Sequence, residues 1–142
     1  MPTVRNRILL ALVVALVPGC GGPPPIVASA DVEALDIHLD AWGEEQKAAA
    51  VSTRDAGKID ALLAVLRTGG GASDHKCGDG GTITLRLRGG GETKIGILAG
   101  HDAGFYEFRV YPKTGSGYDL YRVKRGPFLE AMAGAGAVGL AQ

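Results

Sequence analysis

Between Thr82 and Lys124 the chain is written in period two. In Thr82 to Arg88, Ile83, Leu85 and Leu87 alternate with Thr84, Arg86 and Arg88. Successive side chains of a strand point to opposite faces, so this spacing predicts strands that are apolar on one side only. Gly89-Gly90-Gly91 then supplies a flexible turn into Thr93 to Leu98, where Ile95 and Ile97 continue the apolar face. Phe105 to Tyr111 offers Tyr106, Phe108 and Val110 to a core, with Glu107 and Arg109 on the other side. Tyr118 to Lys124 adds Tyr121 and Val123, with Leu120 out of phase.

The same period opens the first half of the chain. Leu35, Ile37 and Leu39 alternate with Asp36, His38 and Asp40 in a strand from Val32 to Ala41. Trp42 to Gln46 reads as a turn, and Lys47 to Ser52 as a returning strand weakened by its alanines. The period then changes. Ile59, Leu62, Leu63 and Leu66 fall at i, i+3, i+4 and i+7, so a helix runs from a capping-box-like Ser52 and Asp55 to Thr68. Gly69 to Gly71 is expected to end it through a left-handed cap. Pro127 suits the first turn of a second, short helix over Phe128 to Ala133, and residues 134–142 are small and glycine-rich, expected as a flexible tail. The order implies an α+β fold: a small antiparallel sheet of about five to six strands with two helices packed on one face. Residues 31–133 are enough for one such domain.

A sheet covered on one face leaves the other to be explained. By alternation that face carries Arg86, Arg88, Arg109, Arg122 and Lys124, with Glu107 among them and Asp36, His38 and Asp40 on the first strand. One reading is a solvated surface with cross-strand ion pairs. The other is an electropositive contact surface for an anionic envelope partner, such as a lipid head group, an acidic glycan or a protein patch.

The amino terminus says where such a surface would work. Arg5 and Arg7 precede a wholly apolar run, ILLALVVALV, from Ile8 to Val17. Ten helical residues rise about 15 Å, half of a bilayer's hydrocarbon core, which is the layout of a secretory signal and not of a span. Val17-Pro18-Gly19-Cys20 follows at once. These residues resemble the lipobox of bacterial lipoproteins. The resemblance covers the first twenty residues and implies removal of residues 1–19 as a signal peptide, lipidation of Cys20, and export to a membrane of the bacterial cell envelope, the outer one where there are two. Acyl chains on Cys20 would then make the membrane itself a partner. Residues 20–30 contain GGPPP and read as an extended tether that could hold a domain up to about 30 Å away.

Without the signal the chain has thirteen basic and fifteen acidic residues. A nucleic-acid binder is normally clearly basic, so that class is excluded. Only Cys77 remains beside Cys20, so no intramolecular disulfide is expected.

Chemistry has few places to sit. Ser73 to Asp79 is the most polar loop, and Gly100-His101-Asp102 lies in a later turn. If the two meet, His75, Cys77 and His101, with Asp79 or Asp102, are suitable ligands for zinc or copper. Otherwise Cys77 is a small buried residue at the start of a strand. Consecutive Ser73, Asp74 and His75 cannot face one another as a hydrolase relay, and Cys77 with His101 lacks an orienting third group. Neither glycine cluster opens a helix, so neither suits a phosphate. The sequence thus points to a lipid-anchored envelope protein whose domain binds or braces without catalysis and without a cofactor. The alternative is a metal-handling or thiol-dependent protein built on His75, Cys77 and His101.

Overall fold

Alternation is used as expected in β1 (Val32–Leu39), where Leu35, Ile37 and Leu39 are buried and His38 is exposed. This strand belongs to a computed structural model that describes residues 22–44, 46–74, 76–98, 102–111 and 116–140. The other main strands are β2 (Ala49–Thr53), β4 (Asp79–Leu87), β5 (Glu92–Leu98), β6 (Phe105–Val110) and β7 (Asp119–Lys124). With the two-residue β3 (Gly70–Gly71) they form one seven-stranded antiparallel sheet in the order β2-β1-β4-β5-β6-β7-β3. The fold is α+β, with one strand more than the five to six expected.

The extra strand lies where a helix cap was expected. α1 (Ala56–Arg67) ends on a right-handed Thr68, whose hydroxyl donates to the Val65 carbonyl at 2.7 Å. No residue of Gly69 to Gly71 has positive φ; Gly70 and Gly71 instead pair through the backbone with Arg122 and Tyr121 of β7. Two glycines have no side-chain pattern to announce a strand. Gly69 answers to close packing, since a Cβ there would lie 3.0 Å from both the Leu66 carbonyl oxygen and the Pro24 ring. The turn over Gly89 to Gly91 is as expected, with Gly90 and Gly91 at φ 88° and 82°.

At the other end of α1, Asp55 is the N-cap: its carboxylate accepts from the Lys58 amide at 3.0 Å. Such a cap contributes about 1 kcal/mol. Ile59, Leu62, Leu63 and Leu66 of α1 then join Phe128 and Met132 of α2 (Arg125–Gly134) in the cluster formed by the apolar side of the sheet. Leu35, Leu62, Leu63, Leu66, Ile83, Leu85 and Ile95 have no measurable exposure, and burying each such side chain stabilises the fold by about 1.5–3 kcal/mol. Among the described residues no helix is long and apolar enough to cross a membrane.

Both ends of the described chain pack on this core. Pro24 is buried, and Ile26 and Val27 lie against the cluster. The Arg67 guanidinium donates to the Val27 carbonyl at 2.7 Å, and the Ser29 hydroxyl donates to Asp60 at 2.6 Å. The segment from Pro24 onward is therefore a docked strap, where the sequence suggested a free tether. At the other end Ala135, Ala137 and Leu140 are in the core, and the Lys47 amide donates to the Gly139 carbonyl at 2.8 Å. Residues 134–140 differ from the expected tail because their small side chains allow close approach: a Cβ on Gly139 would strike the Lys47 carbonyl.

Candidate functional site

The open face of the sheet does not present five basic residues to solvent. Arg86 is half-exposed and meets Asp36 of the neighbouring strand at 2.7 Å. Arg88 falls in the turn after β4, where its Nε donates to the Ala30 carbonyl at 2.9 Å. Arg122 is exposed, lies opposite Glu107 in register, and holds its guanidinium 4.6 Å from the Phe105 ring centre. Lys124 is exposed where β7 passes into α2.

Arg109 is a correction. It is only 6% exposed, because the chain leading into β4 covers it. Its Nη1 donates to Asp79 at 2.5 Å and its Nη2 donates to the Cys77 carbonyl. The Tyr111 hydroxyl donates to the second Asp79 oxygen at 2.7 Å. Tyr118 lies over the guanidinium at 4.6 Å and donates its hydroxyl to Asp74 at 2.9 Å. Gly96 makes the Asp79 position possible: a Cβ there would sit 2.5 Å from the carboxylate. Burial works to lower the Arg109 pKa, but the Asp79 bond and charge, with both tyrosines, outweigh it and raise the value. Tyr111 is also raised, first by burial and then by Asp79, against an opposing effect of Arg109. Arg109 therefore stays charged and Tyr111 stays protonated, and Arg109 Nε is buried without a hydrogen-bond partner among the described residues.

Beside this network is a cavity of about 480 Å³. It sits at the end of the sheet beside Thr93, the second residue of β5, where β6 runs out at Val110 and Tyr111 and β7 begins at Asp119. Pro25 and Val27 of the strap and the ring of Tyr118 complete the main walls. Thr93 is 9% exposed, and its hydroxyl is buried without a hydrogen-bond partner among the described residues. The protein matches no family model, no curated protein and no solved structure.

The expected metal set is only partly placed. His75 and His101 lie outside the described residues, as does Cys20. Cys77 is free and half-buried. Asp79 is engaged by Arg109 and Tyr111, and Asp102 accepts the amides of Gly104 and Phe105 at 2.7 and 3.2 Å. Among the described residues no three His, Cys, Asp or Glu side chains gather into a metal site.

The residues that sequence reasoning missed are Thr93, Tyr111 and Tyr118, while Asp79, expected beside a metal, instead accepts from Arg109 and Tyr111. One signal was present. Gly96 is an isolated glycine inside a strand pattern, a mark of close approach by another group. Thr93 stands at a core phase of β5, where a purely structural position favours an aliphatic residue.

Proposed function

We propose that this is a lipid-anchored protein of the bacterial cell envelope, tethered through Cys20, whose single domain works by binding. The observation that carries the reading is the passage from ILLALVVALV into VPGC at residues 8–20. The strap supports it. Pro24 is docked on the domain only four residues after Cys20, a span of at most about 14 Å. A domain placed that close to an anchor is suited to a task at the membrane surface. The cavity beside the Arg109 network, rather than the open basic face, is the better contact point, since Arg86, Arg88 and Arg109 are already engaged within the protein.

Mass spectrometry of the amino terminus tests the anchor. The expected chain begins at Cys20 and carries acyl mass, and Cys20→Ser moves the protein out of the membrane fraction. A chain found in the cytosol with residues 1–19 intact overturns the proposal.

A further inference from the structure

We propose that β2 is a pairing edge, on which a second copy of this chain adds its own β2 antiparallel and centred on Val51. Neither Cys20 nor the cavity takes part, so the pairing stands apart from the binding reading above. The two edges of the sheet are built differently. At one end β3 is only two residues long, too short to template another strand. At the other end β2 offers five residues, Ala49-Ala50-Val51-Ser52-Thr53, with no charge, no proline and no slip in its register with β1. Edges left without such blunting features are ready to accept a strand. The carboxy-terminal segment does not cover this one. A Cβ on Gly136 would meet the Val51 side chain and a Cβ on Gly139 would meet that of Ala49, so the segment passes under the core face.

The backbone fixes which residues can pair. The Asp40 amide donates to the Gly80 carbonyl at 3.0 Å between β1 and β4. By the alternation of an antiparallel ladder, Leu39, Ile37 and Leu35 then turn their backbone groups toward β2, where they stand opposite Ala49, Val51 and Thr53. Ala50 and Ser52 therefore point their amides and carbonyls outward, and among the described residues no strand lies beyond them. With Val51 on a two-fold axis, Ala50 of each copy stands opposite the partner's Ser52, and four backbone hydrogen bonds close. Both side chains are small and exposed, so neither resists close approach. Two residues further out, exposed Lys47 stands opposite the partner's Asp55, twice in each pair. A slip to the next register that keeps the backbone bonds sets Ala50 or Ser52 opposite itself and loses this charge match. Exposed apolar surface gathers at the Lys47 end of the same edge. Trp42 bridges Gln46 in the hairpin leading into β2, and Val138 precedes the Gly139 carbonyl that accepts from the Lys47 amide.

The test uses the full-length chain in mild non-ionic detergent, with mass read by sedimentation over a range of concentrations. The expected particle holds two copies. Ala50→Lys with Ser52→Lys sets lysine against lysine twice and should weaken the pair about tenfold. Ala50→Glu with Ser52→Lys sets glutamate against lysine twice in this register and should keep the pair, which separates register from any general effect of altering the edge. In a Cys77→Ser background, copies carrying Ala50→Cys mixed with copies carrying Ser52→Cys should yield a disulfide between positions 50 and 52, identified by peptide mass. Links between identical positions should stay at background, since their Cα atoms would be more than about 7 Å apart. A single copy at all concentrations overturns the proposal, as does a pair that both substituted edges leave intact. A pair lost equally in both variants, or disulfides between identical positions, overturns the register. A single copy that carries a different protein, released by the double lysine change, gives the edge another occupant and overturns self-pairing.

Discussion

On β4, Arg86 reaches across to Asp36 with its side chain 56% exposed; two strands away, on β6, Arg109 reaches Asp79 with its side chain 7% exposed. Both residues come from the same phase of the same alternation, and both meet one carboxylate. The first pair is a surface feature in water. The second lies under the chain from Cys77 to Asp79 and beside two tyrosines. An exposed pair is stabilised by little more than its chance geometry, whereas a covered pair must replace the water both charges have lost. The contrast teaches that strand phase assigns a residue to a face, and that whatever crosses that face decides its chemistry.

The contrast can be broken most forcefully at Arg109. Arg109→Met should leave Asp79 partly buried without its cation and cost about 3 kcal/mol in urea unfolding. A loss as small as that of an exposed arginine would mean that the covering loop is not held by this pair. Tyr111→Phe is the intermediate case, removing one hydrogen bond to Asp79 for about 1 kcal/mol at neutral pH. It also carries a pH signature. Tyr111 keeps its proton in the fold to higher pH than the ordinary tyrosine value of 10.0. Its contribution is therefore full below that value and is lost as pH rises through the raised one. Tyr111→Phe should flatten the alkaline fall in stability, leaving the slope due to Tyr121, which burial and Asp119 also raise. An unchanged alkaline slope in denaturation series above pH 10 would remove Tyr111 from the network. Arg86→Met is the smallest effect, at most about 1 kcal/mol and diminishing in high salt. A salt-independent loss as large as that of Arg109→Met would erase the distinction between the two halves.

Much of the sheet was legible because burial and period coincide in it. Leu35, Ile37, Ile83, Leu85, Ile95, Ile97, Tyr106 and Phe108 are where alternation places them. Gly70 and Gly71 were not legible as a strand, since backbone pairing leaves no mark on residues that lack side chains. The fate of Arg109 was hidden for another reason. Its partner lies thirty residues earlier, at the first residue of β4 and before the alternation begins, and only the folded register brings Gly96 beneath that partner. Leu120 tells the same story from the apolar side. It is out of phase with Tyr121 and Val123, yet buried, because it stands opposite Arg109 on the covered part of the face.

The seating of Pro24 against Gly69 has a consequence for orientation. If Cys20 is the point of attachment, the domain hangs from it by a leash too short to let it turn over. The side around Pro24 would then stay downward, close to the lipid, and visitors from the aqueous space would meet only the opposite hemisphere.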